Sequence, residues 1–176
     1  MGSSHPFRLK QIPGREDKLR SRSRDWALAG AFAALYAVLV YVFSPISFYT
    51  LQFRVAGILR PSIAKKWILA IGYAVGVVVG NLFSPFVGPF ELVFMPLMSF
   101  LAGSLGYVAA KPFKHNYIVA GAIIASVISL SVSWMLNQMF GIPVLVTLPY
   151  LFISEQVLCF GGAIMFKLID ARFKWL

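Results

Sequence analysis

The sequence predicts an all-α fold: a polytopic membrane protein folded as a compact bundle of six transmembrane helices. Of its 176 residues, 59% are hydrophobic and only 12% charged, whereas a soluble domain carries about a quarter charged residues. Mean hydropathy is +0.79. Five or six apolar stretches approach the roughly 20 residues that a helix needs to cross hydrocarbon. At roughly 25 residues per span and connection, six spans use up the apolar region and leave no room for a soluble catalytic domain. The expected organisation is a basic tail over residues 1–24, one membrane domain over 25–170 and a short C-terminal end over 171–176.

The tail holds Arg8, Lys10, Arg15, Lys18, Arg20, Arg22 and Arg24 and lacks the apolar stretch of a cleaved signal peptide. Span one runs from Trp26 to Phe43 and is broken by Ser44-Pro45, after which 46–52 reads as a loop. Span two, Phe53 to Ala64, is short: twelve residues rise about 18 Å, and Pro61 cuts the last turn. Trp67 to Phe83 forms span three, stopped by Ser84-Pro85 and Gly88-Pro89. Glu91 to Ala109, Asn116 to Met139 and Thr147 to Leu168 complete the bundle.

An even number of spans puts both termini on one side, and the basic residues choose it. Arg60, Lys65 and Lys66 lie between spans two and three, Lys111 and Lys114 between four and five, and Lys167, Arg172 and Lys174 at the end of six. With the tail, fifteen of the sixteen basic residues share that side. Both termini are therefore expected in the cytoplasm of a multi-pass cell-membrane protein. The net charge of +10 is explained by orientation and anionic lipid, without nucleic acid.

Three charges escape the cytoplasmic edge: Arg54, Glu91 and Glu155. Ionisable groups at membrane depth face a cavity or a partner because hydrocarbon does not solvate them. All three belong to the outer half of the six-span arrangement, as do Gln52, Asn81, Asn137, Gln138, Tyr150 and Ser154. This distribution predicts a polar cavity opening outward. Arg54 and Glu91 also suit a simple interfacial ion pair; Asn81, Asn137 and Gln138 suit helix caps or interhelical bonds. Trp134, Tyr150, Tyr49 and Phe48 suit either ring stacking or an aromatic belt. Glu155, flanked by apolar residues, must be neutralised, paired or hydrated.

Small residues form two stripes. Ala29, Ala33 and Ala37 recur at fours on span one, and Gly72, Gly76 and Gly80 on span three. Either stripe lets another helix approach closely, inside the bundle or on a partner, and spacing does not assign them.

No Walker phosphate loop, zinc-protease pattern, Gly-x-Ser-x-Gly or acidic magnesium cluster is present, and the two histidines lie in the tail and in a cytoplasmic loop. Neither an enzyme, a metal site nor a bound cofactor is expected; if the chain takes part in transport that needs energy, a partner must supply it. The single Cys159 reads as a small buried hydrophobe.

Specific motifs lie between residues 44 and 105: Ser44-Pro45-Ile46-Ser47, Gln52-Phe53-Arg54-Val55, Gly80-Asn81-Leu82-Phe83-Ser84-Pro85 with Gly88 and Glu91, and Pro96-Leu97 leading to Leu101-Ala102-Gly103-Ser104. Here the chain resembles the QueT family, queuosine-precursor S components of energy-coupling factor transporters. Ala56-Gly57 stands where that family has Ser-Glu, and Glu91 where it has Asp. The resemblance implies a binding subunit that captures a small heterocycle in the lipid bilayer's outer face and docks on a transmembrane coupling subunit with two ATPases. The outward polar distribution makes Gln52, Arg54, Asn81, Glu91, Trp134, Asn137, Tyr150 and Glu155 the expected substrate contacts, and the resemblance makes Ser44 to Gln52 a lid and turns Ala29, Ala33 and Ala37 towards the coupling subunit. A deazaguanine suits these residues, since a carboxylate accepts paired N–H groups, amides meet its carbonyl and aromatic faces cover its ring. Another nitrogen heterocycle, an aromatic amino acid, or a scaffold role without transport are the alternatives.

Overall fold

The computed structural model describes residues 15–47 and 53–173, with side chains from residue 19 onward. Gln52, and with it most of the expected lid, lies outside the described residues. Helix α1 spans Arg15–Val42, starting well before the expected Trp26. Residues 15–24, expected as a polar tail, are helical because Arg, Lys, Leu and Glu favour helix and no Gly or Pro interrupts them. Ser44-Pro45 opens a single helical turn, α2 (Ser44–Ser47).

The short second segment is a 3-10 helix, Val55–Ala64. Its rise of about 2.0 Å per residue gives it about 20 Å, more than the same ten residues would reach as an α-helix. Helix α3 follows over Ile68–Asn81. A π-helical turn, Phe90–Phe94, runs into α4, Met95–Ala110. Pro96 explains the turn: it offers no N–H, and the preceding Met95 amide bonds five residues back to Phe90. Helix α5 covers Tyr117–Phe140, with Asn116 Oδ1 accepting from the Ile118 amide as its cap. Gly141, at φ 68°, ends it, and α6 spans Val144–Phe173.

Four helical runs are long and apolar enough to cross a membrane: Leu19–Val42, Phe90–Phe113, Tyr117–Phe140 and Val144–Phe173. The 3-10 helix and α3 are shorter apolar helices. The chain is thus a multi-pass helical membrane protein, in which two of the six expected spans fall below full length.

Helices α1, α3, α4, α5 and α6 pack in sequence, each against the next except α6 against α1. The 3-10 helix touches all five and occupies the middle. Eight of its ten residues are buried. Where α1 and α6 stand apart, an apolar groove of about 330 Å³ remains, floored by Leu59 and Ser62 of the 3-10 helix.

The small-residue stripes meet each other. Ala29, Ala33 and Ala37 are buried, and a Cβ at Gly72 would lie 2.5 Å from the Ala29 carbonyl oxygen, one at Gly76 3.0 Å from that of Ala33. In this chain both stripes, Ala29, Ala33 and Ala37 included, serve the α1–α3 contact, where close approach maximises dispersion contacts that lipid cannot replace. Gly162 does the same on α6. A Cβ there would overlap the Ile58 carbonyl oxygen, the acceptor that Pro61, lacking an N–H, cannot use in an i to i−3 bond.

Glycine substitutions should therefore separate sharply. Gly72→Ala and Gly162→Ala push a methyl into backbone and should each destabilise by about 1–3 kcal/mol. Gly30→Ala and Gly161→Ala, with nothing within 4 Å of the added carbon, should leave thermal unfolding in detergent unchanged or slightly raised. Equal melting of all four variants would contradict the packing described.

Candidate functional site

Two polar clusters lie within the bundle. The first is built around an ion pair already made, with only Arg60 Nε lacking a partner among the described residues. Arg60, in the middle of the 3-10 helix, is fully buried, and its Nη1 donates to Glu155 Oε2 of α6. Nη2 donates to the Tyr36 hydroxyl of α1 at 3.4 Å. The guanidinium also stands over the Tyr73 ring of α3, 5.4 Å from its centroid, within the range of a cation–π contact. Gly57 leaves the room the pair needs, since a Cβ there would lie 3.2 Å from Arg60 Nη1 and 3.4 Å from Glu155 Oε2.

This corrects the placing of Arg60 with Lys65 and Lys66 at the cytoplasmic edge. Five residues of 3-10 helix separate Arg60 from Lys65, about 10 Å. Lys65 and Lys66 do lie at an edge, half-buried, pairing with Asp170 at 3.1 Å and with Asp25. Of the options open to Glu155, pairing is the one realised, and its partner was not among the expected site residues. The available signal was an arginine inside the apolar run Ile58-Leu59-Arg60-Pro61 opposite a lone deep carboxylate.

The second cluster retains open acceptors. Asn81, at the end of α3, donates through Nδ2 to the Glu91 backbone carbonyl at 2.8 Å. The π-helical turn directs Glu91 inward, 3% exposed, while Val93 two residues on is 58% exposed. Arg54, also buried, approaches the Glu91 carboxylate at 4.0 Å, near enough for charge attraction without a short bond. Asn81 Oδ1 and Glu91 Oε2 are buried and have no hydrogen-bond partner among the described residues; the same holds for Ser47 Oγ, in the described part of the expected lid. An unpaired buried acceptor costs about 1–3 kcal/mol, so this cluster is built to receive donors.

The other expected site residues stand apart. Asn137 finishes α5: its carbonyl accepts from Gly141, and its Nδ2 donates to the Ile142 carbonyl at 3.1 Å. Gln138 Nε2 donates to Asn137 Oδ1 at 3.3 Å. Trp134 is 44% exposed and packs on Phe90 and Phe94, with centroids 6.0 and 4.9 Å away, as an aromatic-belt residue does. Tyr150 is half-buried near the start of α6. Sequence reasoning missed Arg60, Tyr36 and Tyr73, whose aromatic rings read as ordinary core.

Four long apolar helices packed around a few buried polar side chains define a multi-pass membrane protein. The family model for QueT transporter matches residues 26–171, and the chain belongs to that family. That membership points to a role in membrane transport. No curated protein and no solved structure matches the chain.

Breaking the buried Arg60–Glu155 pair should show in stability. Glu155→Gln strands the buried Arg60 charge and should cost about 3–5 kcal/mol, and the double variant Arg60→Met, Glu155→Met should recover much of that loss. Thermal unfolding of the three proteins in one detergent measures it; a Glu155→Gln protein as stable as the wild type would refute the pair.

Proposed function

We propose that the protein is the substrate-binding S component of an energy-coupling factor importer, capturing a queuosine precursor or similar deazapurine at the outer face. The observation that carries this reading is the pair of open, buried oxygens, Asn81 Oδ1 and Glu91 Oε2, in a chain of the QueT transporter family. A guanine-like edge presents adjacent N–H donors, which a carboxylate and an amide oxygen accept side by side. Arg54, 4.0 Å from the Glu91 carboxylate, supplies donors to a ring carbonyl. Glu155 supports the site indirectly by neutralising Arg60. Gln52 and the segment before it close over the ligand in this reading.

ATP-driven uptake falls to a coupling subunit and two ATPases. With the alanine stripe engaged by α3, the coupling subunit docks on the opposite face of α1, where Ala27, Gly30, Ala31 and Ala34 are all exposed. Both termini are cytoplasmic in the cell membrane, following the basic residues.

Isothermal titration with 7-deazaguanine derivatives tests the ligand. Glu91→Gln and Asn81→Leu should each weaken binding about ten- to a hundredfold, the equivalent of about 1.5–3 kcal/mol for a hydrogen bond to a charged group. Unchanged affinity in both, with normal melting, overturns the reading.

Docking is tested on one helix. Ala34→Leu should abolish uptake and co-purification with a coupling subunit while ligand binding persists. Ala33→Leu should instead lower the melting temperature, because it enters the α1–α3 contact. Wild-type uptake by Ala34→Leu would remove this face from docking.

For topology, cysteines at Gly88 and Ile142 should react with an impermeant thiol reagent on intact cells, and one at Phe113 should not. Cys159 is buried, so the native thiol does not confuse the readout. External labelling at position 113 would overturn the orientation.

A further inference from the structure

We propose that the cleft between the start of α5 and the end of α6 binds the phosphate headgroup of an anionic phospholipid. A cavity of about 330 Å³ lies there, and Lys65, Lys114, His115, Tyr117, Lys167 and Asp170 are among its lining residues. Three ammonium groups against one carboxylate leave the cavity with surplus positive charge. That surplus is not shared evenly. Lys65 is held on the inner wall by Asp170 at 3.1 Å and by the Tyr117 ring, whose centroid is 4.9 Å from its Nζ. Lys114 and Lys167 are exposed, and neither forms an ion pair with a described residue.

The loop that carries Lys114 is fixed in place. Lys114 and His115 both adopt left-handed backbone, with φ 55° and 57°. His115 Nδ1 lies 2.7 Å from the Ala64 carbonyl, which can only accept, so the proton sits on Nδ1 and the ring is tied to the end of the 3-10 helix. The positive end of the α5 dipole faces the same cavity. Its Ile118 amide is already taken by Asn116 Oδ1 at 2.8 Å, which leaves the lysines as the principal donors.

The surroundings distinguish a lipid from a soluble phosphate. Phe113 is 60% exposed and Ile118 41% exposed, so apolar side chains flank the cationic cavity. A molecule with an anionic head and two hydrocarbon tails matches both features, and basic pockets between helices at a membrane surface hold such headgroups. The free phosphate of a metabolite would use the lysines and leave the apolar flank bare.

Native mass spectrometry and thermal unfolding of the full chain in detergent test this, using phosphatidylglycerol, phosphatidylcholine and glycerol phosphate at equal concentration. Phosphatidylglycerol should be retained and raise the melting temperature; phosphatidylcholine and glycerol phosphate should do neither. The double variant Lys114→Gln, Lys167→Gln should retain phosphatidylglycerol about tenfold less or weaker still, while melting like the wild type without lipid. Lys167→Gln alone, on a regular helix, gives the same direction should the loop variant fold poorly. Equal retention of phosphatidylcholine, or retention unaltered in both variants, overturns the proposal. Stabilisation by glycerol phosphate equal to that by the lipid assigns the cavity to soluble phosphate and overturns it too.

Discussion

Everything in the bundle is arranged around one buried cation. Arg60 is fully buried within a ring of apolar helices, and an unpaired charge there would cost several kcal/mol even after relaxation. Its partners therefore have to come from elsewhere in the fold: the carboxylate from α6, the hydroxyl from α1 and the aromatic face from α3. Those contacts fix how three helices stand around the 3-10 helix. They also explain why glycine is needed nearby. Gly57 leaves space for the ion pair, and Gly162 lets α6 lie directly on the Ile58 carbonyl so that Glu155 reaches inward.

The ends of the 3-10 helix are held by different means. At its C-terminal end Lys65 and Lys66 pair with Asp170 and Asp25, and His115 bonds the Ala64 carbonyl. These contacts tie α6, α1 and the α4–α5 connection to the same short segment. Partly exposed pairs contribute little energy each, so their effect is to fix position. Arg54 marks the other end, beside Glu91 and Asn81. The segment is thus anchored below, neutralised in the middle and left with open acceptors above, and ligand-responsive chemistry belongs where acceptors remain open.

Composition and hydropathy made the all-helical membrane class legible, because long uninterrupted apolar runs, unlike the alternating strands of a barrel, satisfy their backbone in lipid as helices. The π-helical turn was not legible as such, although Pro96 is its cause. Arg60 was misplaced because two lysines five and six residues on drew it to the edge, and sequence distance does not reveal a 3-10 rise. The alanine stripe was read outward although the glycine stripe three segments of sequence later was its physical complement; spacing establishes close approach but not to what. Among the expected site residues, Arg54, Asn81 and Glu91 lie together beside the start of the 3-10 helix. Asn137 became a helix end, since a carbonyl and an amide beside Gly141 have nearer backbone partners.

The contrast between the two acid–base pairs bears on how a polar molecule is received in so apolar a protein. Arg60 and Glu155 are in direct contact, with further donors and rings around them, so admitting a ligand would mean breaking bonds already made. Arg54 and Glu91 stand 4.0 Å apart with one carboxylate oxygen open, which is attraction without closure. In the proposed reading, a ligand edge entering there meets an open acceptor without first displacing a strong internal bond. The electrostatic cost of holding the acid in readiness is offset by Arg54 across that gap, and close contact is withheld because α3 and the π-helical turn fix Glu91 from one side through Asn81. A one-residue change in the helix register ahead of Pro96 would turn Glu91 away from Arg54, so the receptive geometry depends on a proline that touches neither charge.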